Sequence, residues 1–330
     1  MLRYAIKRIA QLVPATLGIL LLTFILFNVV GGSSAQAILG QHADAATVAA
    51  FNARYGYDKP LLLGPLSAPP GTPLRVRAAR ALDSQFFNYC RDILRGDFGE
   101  SASYGMRVAE VLKGGVVPSL CITVPILLGG TLVALALAMV AAAFRDRAAD
   151  GAVLLGSTLC MSVNYVVWIL AGQFLLSYKL RLFPIWGFEG VAYIVLPAII
   201  GILSGLGRDV RYFRAVLLDE AGRPYIRAAF SRGLTRRAVF VRHVLPNAMI
   251  PIVTYVSLSI PYLFTGSLLL ESFFGIPGLG GVSVNAIHSA DLAIVRAIVI
   301  LGALLYQLVN LATDLCYAAL DPRVKGIANE

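Results

Sequence analysis

Apolar runs of about 20 residues recur along this 330-residue chain, and each is long enough to cross a hydrocarbon layer about 30 Å thick as a helix. The first extends from Ile9 to Val30, and five more lie near 117–143, 152–178, 191–207, 247–270 and 293–320. In lipid, backbone N–H and C=O groups must be satisfied within the protein, so runs of this kind fold as helices. The expectation is an all-α integral membrane protein of six transmembrane helices. With 58% hydrophobic and only 14% charged residues, the composition excludes an ordinary soluble domain. The basic start (Arg3, Lys7, Arg8) also suits a signal peptide. The apolar run is long for one, however, and no small-residue cleavage site follows directly, so a retained first span is expected.

Charge fixes the expected orientation. Nine Lys/Arg stand against three Asp/Glu between Arg208 and Leu245, which marks a cytoplasmic loop by the positive-inside rule. A formal charge of +10 could suggest nucleic acid, but its concentration between apolar runs argues for a membrane topology instead. With both termini cytoplasmic, segments 31–116, 177–190 and 271–292 fall outside. The expected organisation is then residues 1–30 as the cytoplasmic N-terminus and first helix, and 31–116 as an extracytoplasmic segment. Residues 117–320 form a five-helix core that includes the cytoplasmic loop 208–246, and 321–330 form a cytoplasmic tail. Within 31–116, short helices are expected from Asp44 to Tyr55 and from Phe87 to Leu94, the second ended by Gly96. The Pro/Arg-rich stretch Leu61 to Asp83 has no assigned role. Cys90, Cys121, Cys160 and Cys316 are scattered with no metal-site spacing.

The loop contains the most informative local pattern. Pro224 suits a first helical turn, Gly233 can take the left-handed conformation that ends it, and Thr235 can cap a second helix from Arg236 to His243. Pro246 opens the next span. The order of Ala228, Ala229, Gly233, Leu245 and Pro246 resembles the loop signature of bacterial importer permeases driven by ATP-binding-cassette subunits. That signature is Glu-Ala-Ala, three residues, Gly, nine residues, Ile, any residue, Leu-Pro. Arg227 replaces the Glu and His243 the Ile, and loss of the Glu is common in the dipeptide, oligopeptide and nickel branch. Tyr55 to Pro60, Arg95 to Ser101, Gly266 to Glu271, Phe274 to Gly280, Asn310 to Leu315 and Leu320 to Arg323 are similar to the same branch.

The resemblance implies a type I importer permease fold without catalytic residues, bound metal or cofactor of its own. ATP and magnesium would sit on partner subunits, and this chain has no Gly-x-x-x-x-Gly-Lys-Ser/Thr phosphate loop. Implied partners are a second homologous permease, two ATPase subunits, an extracytoplasmic substrate-binding protein, membrane lipid and a peptide or similar small solute, with no nucleic acid. The site is the bacterial inner membrane. The cargo is a di- or oligopeptide, with nickel chelates and glutathione open within the branch. ATPase coupling is expected at Arg227, Ala228, Ala229, Phe230, Gly233, Leu234, Phe240, Leu245 and Pro246. Phe230, Leu234, Val239 and Phe240 would fill a partner's groove, while Arg232, Arg236 and Arg237 would meet acids on its rim.

Polar side chains at membrane depth face a bundle interior or a watery cavity. By that rule Asn164 and Trp168 in the third span, and Thr254, Tyr255, Ser257, Ser259 and Tyr262 in the fifth, are candidates for the translocation path; helix–helix packing is the alternative use of such residues. Asp314, the one acid inside the sixth span, reads as an interfacial acid paired with a neighbouring arginine, with a proton or ion site as the alternative. An ion-coupled secondary transporter would need internal repeats or intramembrane ion sites, and a membrane anchor would not need the 224–246 pattern.

Overall fold

The computed structural model describes residues 2–30, 44–55, 58–62, 83–260, 263 and 267–320. Its long elements are helices, with no β-strand among the described residues, only one isolated bridge between Glu100 and Arg107. They are α1 (Leu2–Phe24, continued by a π-helical turn Ile25–Val30), α2 (Ala45–Tyr55), α3 (Gln85–Leu94), α4 (Val108–Ala143), α5 (Ala148–Ser162) and α6 (Tyr165–Gly172, continued by Gln173–Lys179). Then come α7 (Ala192–Ala221), α8 (Pro224–Ser231), α9 (Arg236–Val239, continued by Phe240–Val244), α10 (Leu245–Ser257), α11 (Leu268–Phe274), α12 (Leu279–His288) and α13 (Leu292–Leu320). Among the described residues, five helical stretches are long and apolar enough to cross a membrane, and two bent pairs, α5 with α6 and α11 with α12, bring the number to as many as seven.

The differences from the expected spans have local causes. The run 152–178 is two helices bent by 90°. Val163 is extended, and the Asn164 side chain accepts the Val166 amide at 2.9 Å, restarting the helix in a new direction. The fourth span continues as α7 through Ala221, so the first third of the basic loop is helix. The fifth candidate span is Arg236–Ser257 rather than 247–270. Pro246 does not interrupt it, because it enters at the start of α10, where the π-helical turn before it relaxes the hydrogen-bond register. Beyond it, the bent pair α11–α12, folded at 87°, begins at Leu268 in the expected fifth span and continues through most of the expected outer loop 271–292.

The described chain divides into two compact units. One draws on residues 1–113 and 285–304. Its core is Phe24, which meets Phe86 edge-on and Tyr89 at an angle, each at 5.5 Å between ring centres, with Leu20, Cys90, Ile93 and Ile300 around them. Ser84 caps α3 by accepting the Phe87 amide, and the Tyr89 and Thr23 hydroxyls share a 3.0 Å hydrogen bond. Asp291 closes the turn before α13. Its carboxylate accepts from the Ser101 hydroxyl at 2.6 Å and from the amides of Ser103 and Ile294. Burial pushes this carboxyl upward, but the Ser101 hydroxyl and those amides outweigh it and hold it below the ordinary carboxylate value.

The second unit draws on residues 114–284 and 305–324. Helices α5 and α7 pack most closely, and the buried Asp150 carboxylate takes a two-point ion pair from Arg214 at 2.6 and 2.7 Å. One apolar cluster joins Ala134 and Ala138 of α4, Phe213 and Leu217 of α7, and Ile226, Val239, Phe240, Val244 and Ile252 beyond. A second joins Ile122, Ile169, Leu196, Ile200, Leu270 and Phe274. On the outside, Leu128, Leu132, Val140, Leu155, Leu159 and Leu170 are exposed. Apolar side chains on both the inner and outer faces of these helices are what a lipid-embedded bundle requires.

Candidate functional site

Two features stand out in the second unit: an elbow on the basic loop and a cavity among α4, α6, α7 and α10. In the elbow, Pro224 occupies the first turn of α8 and Gly233 takes φ +82°, ending it. The Thr235 hydroxyl then accepts the Ala238 amide and starts α9, which runs without a break into α10. The helix–glycine–helix form expected from the sequence is present, except that its second helix does not stop at His243 but continues through Pro246 into the next span.

Its side chains sort into two faces. Ile226 and Ala229 are buried, as are Val239, Phe240 and Val244, and all belong to one apolar cluster with residues of α4 and α7. Phe230 and Leu234 remain 42% and 39% exposed, and Ala228, Arg232, Arg236, Arg237 and Pro246 are exposed as well. Arg227 is exposed and donates to the Gly222 carbonyl at 3.3 Å, while Leu245 packs on the core. This corrects one expectation. Val239 and Phe240 do not reach outward for a partner's groove, because at α9 the apolar face of the short helix is turned onto its own bundle. The buried face makes the elbow an extension of the membrane helices, and the exposed residues include two apolar anchors with Arg232, Arg236 and Arg237 beside them in sequence.

The cavity measures about 290 Å³ and is lined by Thr123, Thr131, Tyr165, Ser204, Arg208, Asp209, Tyr255, Ser259 and Ser267 among apolar neighbours. The Tyr255 hydroxyl donates to Asp209 at 2.8 Å, and its ring stacks on Tyr212 at 4.3 Å. Arg208 approaches the same carboxylate through Nε at 3.4 Å. On the opposite wall the Tyr165 and Ser267 hydroxyls pair at 3.1 Å.

Of the path candidates, Tyr255 and Ser259 line this cavity. Thr254 and Ser257 do not, since the lining face of α10 is the adjacent one; the Thr254 hydroxyl turns back to the Ile250 carbonyl at 2.7 Å. Asn164 is spent as a helix cap, and Trp168 packs in the second apolar cluster with its indole N–H directed to the Cys160 carbonyl. Tyr262 lies outside the described residues, as does most of the stretch 61–83. Asp314 is half-buried. Sequence reasoning missed Arg208 and Asp209, which were counted only as loop charges. A signal was there: Gly201, Ser204, Gly205 and Arg208 recur at helical spacing as a small and polar stripe on α7.

Beside the cavity stands a buried acid. Glu271 is 1% exposed and accepts from the Ser119 hydroxyl at 2.8 Å and the Ser267, Gly280 and Gly281 amides at 3.0, 2.6 and 3.2 Å. Those glycine amides open α12, so Glu271 on α11 caps its own hairpin partner.

A family-wide model described as "Binding-protein-dependent transport system inner membrane component" matches residues 134–326. The chain is also similar to proteins called "Glutathione transport system permease protein GsiC". It is 30% identical to that of Salmonella typhimurium strain LT2 and 28% identical to that of Escherichia coli strain K12. Both comparisons extend over 329 residues, 98% of this chain and 99% of the relative.

Proposed function

Because the chain belongs to the binding-protein-dependent transport system inner membrane components, we propose that it forms half of the translocation path of an ATP-driven importer. The family's members are non-catalytic, multi-pass inner-membrane permeases that work with ATPase and substrate-binding partners. In this reading a second, similar permease completes the path, and two ATPase subunits bind ATP and magnesium. Both termini of this chain lie in the cytoplasm, and the binding protein delivers cargo from the other side. The cargo is a di- or oligopeptide or a similar small solute. Glutathione, the compound in the relatives' name, is itself a tripeptide and belongs to that class.

The observation that carries the coupling role is the two-faced elbow. Ile226, Val239 and Phe240 join it to the apolar cluster with α4 and α7, while Phe230, Leu234, Arg232, Arg236 and Arg237 stand exposed. Desolvated aromatic anchors carry much of the energy at protein interfaces. A push on the outer face is transmitted to the bundle because the inner face is part of its core.

The test is gentle purification of the tagged chain from its native membranes, with identification of the proteins that accompany it. ATPase subunits should co-purify with the wild type and be lost from a Phe230→Asp, Leu234→Asp variant that still folds. Retention of the ATPases by that variant would remove the elbow from the docking site, and their absence from the wild type would sink the importer reading itself.

A further inference from the structure

The cavity described above contains the adjacent charges Arg208 and Asp209, and nothing in the coupling role requires them there. Ionisable side chains on the wall of a cavity between membrane helices mark solute pathways or paired structural charges. A structural pair would be short and enclosed, as Asp150 and Arg214 are at 2.6 and 2.7 Å. Arg208 and Asp209 are different. Their contact is 3.4 Å, long beside the roughly 2.7–2.9 Å of a charge-assisted hydrogen bond, and the Arg208 side chain is 70% exposed. Tyr255 donates to Oδ1 of Asp209 and orients that carboxylate toward the cavity it lines.

From this arrangement we infer that Arg208 and Asp209 form a charge-reading station for a small solute carrying both a carboxylate and an amine. The planar guanidinium takes the solute's carboxylate in the two-point manner that lysine cannot reproduce. The Asp209 carboxylate, held by Tyr255, takes the ammonium. The hydroxyl oxygens of Thr123 and Ser204, whose hydrogens go to the Ser119 and Gly201 carbonyls, accept the amide N–H groups between, beside the hydroxyls of Ser259 and Ser267. At about 290 Å³ the cavity is at the small end of ligand pockets, roughly 300–1,000 Å³, so it suits a solute of few residues. The inference rests on the importer reading and names the chemistry that the permease itself selects.

The experiment uses the complete complex, with ATPases, second permease and binding protein, reconstituted in vesicles. ATP-driven uptake is measured for dialanine, dialanine amide and N-acetyl-dialanine at saturating binding protein. Because the binding protein is the same throughout, its own preference cancels when variants are compared with the wild type. Arg208→Gln should lower the preference for dialanine over its amide about tenfold, the scale of one lost hydrogen bond to a charged group. Asp209→Asn should do the same for dialanine over N-acetyl-dialanine. Arg208→Lys should leave an intermediate preference, and it replaces the glutamine variant if that one fails to assemble. Equal slowing of all three probes by both variants would overturn the inference, as would a wild-type complex that hydrolyses ATP yet carries none of them. A wild-type chain without co-purifying ATPase subunits would instead remove the importer reading on which the inference stands.

Discussion

The elbow at 224–246 and the hairpin α11–α12 turn in the same way and differ in what surrounds the turn. Each begins with a short helix that ends at a glycine with positive φ, +82° at Gly233 and +67° at Gly275. At Gly233 no atom lies within 4 Å of where a Cβ would stand, whereas a Cβ at Gly275 would enter the Trp186 indole. The elbow keeps Phe230 and Leu234 outside, while the hairpin buries Leu270, Glu271 and Phe274. One is shaped to be grasped from outside; the other is locked from within. The glycine alone does not distinguish them, and only the surrounding packing does.

The difference can be broken most forcefully at Glu271. Replacing it by Ala leaves the Ser119 hydroxyl and the amides of Ser267, Gly280 and Gly281 without their acceptor. Each unsatisfied buried donor costs about 1–3 kcal/mol, so a loss of roughly 3–5 kcal/mol is expected after partial relaxation. Thermal unfolding of the detergent-purified chain reads this out. Glu271→Gln, which keeps an acceptor oxygen but brings an unwanted N–H₂, should fall between. If Glu271→Ala melts with the wild type, the hairpin is not held from inside.

At the elbow the largest effect should appear in binding and not in folding. Phe230→Asp with Leu234→Asp removes the two apolar anchors, and about 2–4 kcal/mol of docking free energy should go with them. The isolated chain should melt within about 0.5 kcal/mol of the wild type, as surface substitutions do. Phe240→Asp should do the reverse, unfolding the chain before docking can be asked about, since Phe240 is buried in the apolar cluster with α4 and α7.

That contrast shows how far the sequence was legible. Elements set by short-range chemistry could be read directly: Pro224 at a first turn, Gly233 past the end of a helix, Thr235 as a cap, and the helices near 45–55 and 85–94. What could not be read depended on where a helix face points in three dimensions. Phe230 and Phe240 are alike in sequence, yet one is exposed and the other buried. The hairpin α11–α12 resembled an outer loop because its apolar runs are short and interrupted at Gly275–Pro277, and its closing hydrogen bonds come from Ser119, 152 residues away. Arg208 reads as a loop charge because the apolar run ends at Gly207, while the helix continues to Ala221.

Asp291 offers a gentler, pH-dependent version of the Glu271 device in the other unit, where it caps the start of α13. Its carboxyl is held below the ordinary value, since burial is outweighed by the Ser101 hydroxyl and the Ser103 and Ile294 amides. A depressed carboxyl contributes stability that is fully present above the unfolded value, near 3.9, and is lost as pH falls through the lower folded value. The wild type should therefore be flat from pH 7 to about 5 in this contribution and weaken below about 4. Asp291→Asn should cost about 2 kcal/mol at pH 7, within the range for hydrogen bonds to a charged group, and should remove that acid-side decline. An unchanged decline in the variant would assign it to other carboxylates.

The smallest effect separates the two glycines themselves. A side chain at φ near +80° strains the backbone by roughly 1–2 kcal/mol, and at Gly233 that is the whole cost because the space around it is open. Gly233→Ala should accordingly lower stability by about 1 kcal/mol, and Gly233→Asn by less, since Asn visits the left-handed region readily. Gly275→Ala meets the same strain and a collision with Trp186, so its loss should exceed that of Gly233→Ala by a further 1 kcal/mol or more. Asn should not rescue it, because Asn relieves strain and adds volume. Paired melting curves for the four variants test this directly. Equal losses at the two positions would mean that backbone conformation alone decides both turns, and the distinction between an open elbow and a closed hairpin would have to be given up.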